Sequence, residues 1–167
     1  KLILKSSVHD HQLLRDNIKN KFKKNGIEGE KIIFMERLKN YDDHLKMYNN
    51  IDISLDTFPF AGATTTFESL WMGVPTITLS GEIFNSKFGL SINKNLNLDT
   101  FIAKDKNDYI EKAKIISSDI NKLSQIRYSL RNLAINSPLF DNKDLGLELC
   151  KILKDKWRLF SQQNKNL

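Results

Sequence analysis

Short apolar runs alternate with longer amphipathic stretches along the chain, the pattern expected of parallel strands joined by helices. Leu2-Ile3-Leu4 reads as a first strand and Lys31 to Met35 as a second. Between them, Asp10 can cap a helix that carries Leu13, Leu14, Ile18 and Phe22 on one face, and Gly26 suits its C-terminal turn. Asn40 to Asn50 is a short helix with Leu45 and Tyr48 inward. Ile51 to Leu55 forms a third strand and Pro75 to Leu79 a fourth. The segment joining these two begins as a loop, marked by Pro59 and Gly62, and becomes a helix from Thr64 to Met72 that Gly73 ends. Beyond Leu79 the pattern is helical: Ile83 to Ile92, Asn107 to Ser117, Asp119 to Ile135, and Asn142 to about Gln162. Ser137-Pro138 marks the break before the last helix. These elements predict an α/β fold, a parallel sheet flanked by helices with a helical C-terminal end, in one domain over 1–162 and a tail at 163–167.

Composition narrows the class. With 167 residues, 40% hydrophobic and 28% charged, the chain has globular rather than disordered character. No apolar run approaches the ~20 residues that span a bilayer, and no segment has the secretory pattern, so no membrane partner is expected. The net charge of +6 comes from lysines interleaved with Asp10, Asp16, Glu28, Asp105, Glu111 and Asp119. Its longest cluster, Lys19 to Lys24, is broken by Asn20 and Phe22, which makes it a solvated helix face and not a nucleic-acid stripe. The single cysteine, Cys150, shares an apolar stripe with Leu147 and Leu153 and is expected to be a buried thiol in a reduced, cytoplasmic setting. The chain opens on Lys1-Leu-Ile-Leu-Lys without an initiator Met and is expected to be a fragment of a longer protein.

The chemistry concentrates between Leu55 and Leu79. A strand, a Gly-containing loop and a Thr-rich helix start fall at the carboxyl end of a parallel strand, where open α/β sheets bind ligands. Unpaired N–H groups and the positive end of the helix dipole both favour an anion there. Gly62 lets backbone approach a phosphate, and Thr64, Thr65 and Thr66 add hydroxyls. Three consecutive β-branched residues are mediocre helix formers. The competing reading makes Thr64 a plain N-cap, which explains one threonine of the three. Glu68, one turn after Thr64, can face the same mouth and accept from ribose hydroxyls, or it can simply compensate the helix dipole. Asp56 is expected to brace the loop through backbone amides.

The run from Ile51 through Asp56-Thr-Phe-Pro-Phe-Ala-Gly-Ala-Thr-Thr-Thr-Phe-Glu to Leu79 resembles the signature of the O-GlcNAc-transferase (SPINDLY-type) family. His44, twelve residues before Asp56, the Gly81-Glu82 pair and Ser137-Pro-Leu-Phe before the final helix extend that resemblance over essentially the whole chain. It implies a two-domain GT-B glycosyltransferase of Rossmann-like domains, of which this chain is most of the C-terminal, nucleotide-binding one, incomplete at its N-terminus. By position, Thr64 and Thr65 match donor-phosphate contacts, Glu68 the acidic ribose contact and His44 a histidine set against the nucleotide base. Lys39 is the nearest match to a basic residue expected before His44, and needs a one-residue gap to align. Ala63 stands where animal members often carry histidine, so a side-chain contact is lost there. His9 and His11 match nothing in the family and are expected to be exposed.

The reaction so implied is sugar transfer, GlcNAc or another hexose, from a nucleotide diphosphate such as a UDP-sugar to protein Ser/Thr hydroxyls, with inversion and without a metal or other cofactor. No catalytic base is recognisable. The diphosphate lysine, the acceptor-binding N-terminal domain and the usual helical repeats would lie upstream, and the isolated segment is expected to be inactive. Two alternatives stand beside it. One is a nucleotide-sugar epimerase of the same architecture, which would need acidic and histidine groups in the cleft. The other is a non-catalytic nucleotide-binding or interaction module.

Overall fold

The computed structural model describes residues 1–6, 11–36 and 38–163. Asp10, expected as a helix cap, His9, and residues 164–167 of the expected tail lie outside the described residues. The chain divides into two compact units, Lys1–Ile51 and Asp52–Leu167.

In the first unit, β1 (Leu2–Lys5) pairs in parallel with β2 (Ile32–Met35), Leu2 opposite Ile32 and Lys5 opposite Met35. A parallel pair needs a crossover, and α1 (Gln12–Lys23) supplies it. Its half-buried stripe is Leu14, Ile18 and Phe22, spaced by four residues. Leu13 falls off that stripe and is 75% exposed, so the expected four-residue face is narrower by one. Gly26, at φ +76°, takes the left-handed turn after the helix. Arg15 and Lys19 lie 5.8 and 6.0 Å from the centre of the Phe34 ring. Next, α2 (Tyr41–Lys46) is capped by Asn40, whose side chain accepts from the Asp42 N–H at 2.9 Å. It tightens into a 3₁₀ turn, Met47–Asn50, that buries Met47 and Tyr48.

The second unit holds a three-stranded parallel sheet in the order β3 (Ser54–Leu55), β4 (Thr76–Leu79), β5 (Ile102–Ala103). As the middle strand, β4 buries Thr76, Ile77 and Thr78 without alternation, the habit of a strand covered on both faces. The hydrophobic pattern missed β5, because two paired residues give no periodicity to read. The third strand pairs over two residues, not the expected five. Around the sheet run α3 (Thr64–Trp71), α4 (Phe88–Asn95), α5 (Lys106–Ser118), α6 (Ile120–Ile135) and α7 (Asn142–Gln163). The single helix expected over Ile83 to Ile92 is instead a 3₁₀ turn at Phe84–Ser86 followed by α4.

Leu70 of α3, Ile92 of α4 and Leu96 just after it, and Leu130 and Ala134 of α6 form the core, with Phe67, Leu98, Leu139 and Phe140 packed on its margin. Gly73, at φ +73°, ends α3, and a Cβ there would lie 2.8 Å from the Arg127 carbonyl oxygen. Only glycine permits both that dihedral and that approach of α6. The Ser137-Pro-Leu-Phe segment forms a 3₁₀ turn that carries Phe140 onto α3, edge-on to Phe67 and stacked on Trp71 with 5.9 Å between centroids. On α7 no described residue is buried. Cys150, expected to be a buried thiol, is exposed there, because the apolar stripe it shares faces outward.

Candidate functional site

The ladder between β3 and β4 continues through the Asp56 N–H, which donates to Ile77 O at 2.9 Å, so Asp56 sits at the carboxyl end of β3 with a fixed backbone. The residue is 8% exposed. Oδ1 accepts the Gly62 N–H at 2.7 Å and Oδ2 accepts the Thr78 hydroxyl at 2.7 Å. The expected brace between Asp56 and the loop's backbone is therefore present. Burial pushes the Asp56 carboxyl above its ordinary range, against the lowering effect of the bonds from Gly62, Thr78 and the Thr57 amide. The Tyr109 hydroxyl donates to the Asp56 backbone oxygen at 2.8 Å, and burial together with the Asp56 charge raises that phenol. Helix α4 closes over the carboxylate at Gly89, where a Cβ would lie 2.7 Å from Asp56 Oδ2 and 2.3 Å from Thr78 Oγ1. The loop's far side is tied down by the Ala61 N–H, which donates to Asn85 O at 3.1 Å.

Ala63, with φ −108° and ψ −78°, is the N-cap of α3 and offers no side-chain cap. Thr64 is the first helical residue rather than the cap, which removes the plain-capping account of it. The helix ladder opens with the Thr66 and Phe67 amides, both onto Ala63 O at 3.1 Å, leaving the Thr64 and Thr65 amides outside it. Thr64 and Thr65 are exposed, and the Thr64 hydroxyl has no hydrogen-bond partner among the described residues. Thr66, expected as a ligand contact, is instead 2% exposed and donates its hydroxyl to Gly62 O at 2.8 Å. The Gly62 amide is engaged by Asp56 Oδ1. A Cβ on Gly62 would lie 2.6 Å from Thr65 Oγ1, so glycine here lets the loop fold against the threonines. Glu68 is half-buried one turn further along α3.

In the first unit, His44 is half-buried on α2, between Tyr41 and Tyr48 at 5.9 and 5.8 Å from ring to ring. Lys5, at the end of β1, donates to His44 Nδ1. Lys39 is exposed just ahead of α2. Among the described residues no group of three or more His, Cys, Asp or Glu could hold a metal ion, and no helix is long and apolar enough to cross a membrane. A hollow of about 400 Å³ between α5 and α6, lined by Phe101, Ile115, Ile116, Leu123 and Ile126, is separate from the α3 N-terminus.

Thr78, Gly89 and Tyr109 escaped the sequence reading. Gly89 carried a signal, a glycine inside an amphipathic helix, which marks close backbone approach. Tyr109 carried none, because its partner is 53 residues away.

Residues 12–149, most of the chain, match the description "Glycosyl transferase family 41". The chain belongs to glycosyltransferase family 41. Similar curated members include the probable UDP-N-acetylglucosamine–peptide N-acetylglucosaminyltransferase SPINDLY of Solanum lycopersicum, 38% identical over 135 residues, covering 81% of this chain and 14% of that protein. The SPINDLY protein of Petunia hybrida is 34% identical over 160 residues, with coverages of 96% and 17%. This family 41 chain thus spans about one sixth of the length of those relatives. Among solved structures, a mutant Thermobaculum terrenum O-GlcNAc transferase superposes with a TM-score of 0.89 at 26% identity, over 98% of this chain and 31% of that one. Parallel sheets flanked by helices and a helical C-terminal end agree with the expected fold class.

Proposed function

We propose that this chain is the donor-binding half of a family 41 enzyme that moves a sugar from a nucleotide diphosphate to protein Ser/Thr hydroxyls. The observation that carries the reading is the α3 N-terminus. It has no side-chain cap, stands behind a loop tied at both ends, and keeps Thr64 and Thr65 at the surface. Amides and hydroxyls in that arrangement attract a diphosphate, and their attraction grows as the sugar–phosphate bond breaks and charge collects on the leaving group. No metal is needed for that share of the stabilisation.

In this reading Glu68 accepts from the ribose hydroxyls, and His44 and Lys39 address the base side of the nucleotide. Ala63 contributes backbone only. Transfer with inversion, the acceptor site and any catalytic base belong to the longer parent protein, together with upstream helical repeats. A cytoplasmic setting fits the nucleotide-sugar donor, and the segment alone is expected to give no turnover.

Calorimetric titration with UDP and with GDP tests the reading. The wild-type chain should bind one of them, and Thr64→Val/Thr65→Val should weaken that binding by about tenfold or more, the cost of two hydrogen bonds to a charged group. A folded wild-type chain that binds neither nucleotide would remove the reading.

A further inference from the structure

We infer that Asp56 is a positioning residue for the donor loop: its buried carboxylate locks Gly62 in place and thereby sets where α3 begins. This rests on the donor-binding reading above. Asp56 touches no ligand in it and acts through the loop.

Three observations converge. First, the two carboxylate oxygens are divided between two elements, Gly62 of the loop and Thr78 of β4, each at 2.7 Å. The loop is thereby pinned to the central strand, which is the most buried part of the sheet. Second, the pin lies next to the helix start. Gly62 precedes the Ala63 N-cap directly, and its carbonyl receives the Thr66 hydroxyl, so a shift at Gly62 moves the first turn of α3. Third, the carboxylate cannot withdraw. Gly89 of α4 closes one side at a distance that excludes even a methyl group, and Tyr109 of α5 holds the Asp56 backbone oxygen.

The geometry also explains why an acid serves here, next to a site for an anion. A carboxylate accepts two hydrogen bonds at once and donates none, matching one N–H and one O–H that both point inward. Asparagine keeps the shape and one acceptor but turns a donor toward Thr78. That hydroxyl can rotate and accept, so Asp56→Asn should keep much of the loop's order. Asp56→Ala takes the partner from the half-buried Gly62 N–H and from the buried Thr78 hydroxyl.

Two measurements on the whole chain separate this inference from the reading it rests on. Without nucleotide, hydrogen exchange should show the Gly62 region exchanging at least about tenfold faster in Asp56→Ala than in wild type, with Asp56→Asn between them. With UDP or GDP, Asp56→Ala should weaken binding about tenfold and Asp56→Asn by no more than about threefold. Leu123→Ala, a buried substitution on α6, supplies the control: it should lower the melting temperature without changing affinity. Unchanged exchange at Gly62, or unchanged affinity in a folded Asp56→Ala chain, overturns the positioning role. Affinity loss in Leu123→Ala equal to that in Asp56→Ala overturns it too, since general destabilisation would then account for both. If wild type binds neither nucleotide, the donor reading fails while the exchange result still decides whether Asp56 orders the loop. Should Asp56→Ala not fold, Thr78→Val, which removes one of the two bonds, carries both measurements with the same expectations at smaller size.

Discussion

Thr76 and Thr78 sit two positions apart on β4 and are equally hidden, at 1% and 0% exposure, yet their hydroxyls differ in what they meet. The Thr78 hydroxyl donates to Asp56, whereas Thr76 Oγ1 has no partner among the described residues. A buried hydroxyl without a partner keeps its desolvation cost, and one bonded to a carboxylate offsets it. Thr76→Val should therefore raise the stability of the chain by about 1 kcal/mol, and Thr78→Val should lower it by about 2 kcal/mol. Urea unfolding of the two variants checks the contrast, and equal shifts of the same sign would contradict it. Such a difference was out of reach of the sequence. Both residues alternate identically along one strand, and only the chain fold decides which of them looks at Asp56.

At the scale of elements, the long periodic helices were legible and the short strands were not. The boundaries of α6 and α7 follow from apolar residues at three- and four-residue spacing, because many turns repeat the same signal. By contrast, β5 consists of two residues whose pairing depends on β4 alone. The direction in which α7 turns its apolar stripe was not legible either, since periodicity reports a face and not what lies against it. Leu145, Leu149, Ile152, Leu153, Trp157 and Phe160 are all exposed. A stripe of this length in water binds apolar dyes. Replacing Leu149 and Leu153 by lysine should cut the fluorescence of bound ANS by at least about half while leaving the melting temperature within a few degrees, because neither residue is buried. A large fall in melting temperature would mean that the stripe packs against the core.

For the whole molecule, the family signature let the sequence locate the candidate site, while the way that site is held together depended on partners distant in sequence. Thr64 and Thr65 stand inside one continuous motif, but the Asp56 node draws on Thr78, Gly89 and Tyr109 from β4, α4 and α5. That node also imprints itself on the pH dependence of global stability. The Asp56 carboxyl titrates above its ordinary value of 3.8, so the native state holds this proton more tightly than the unfolded chain does. Its contribution is fully present below 3.8 and is lost as pH rises through the raised native value. The sign is opposite to that of a carboxylate stabilised by a cation. As pH rises above about 4, the melting temperature of wild type minus that of Asp56→Asn should fall. A difference that is flat or rising over that range would show that Asp56 does not titrate in this way.

The exposed sulfur of Cys150 has a practical consequence. Because the chain carries one cysteine, and that cysteine lies on α7, a single thiol reagent labels every molecule at the same place. A spin label or fluorophore attached there turns the helix into a gauge: its mobility or emission changes when something comes to lie along α7, with no competing signal from elsewhere in the sequence.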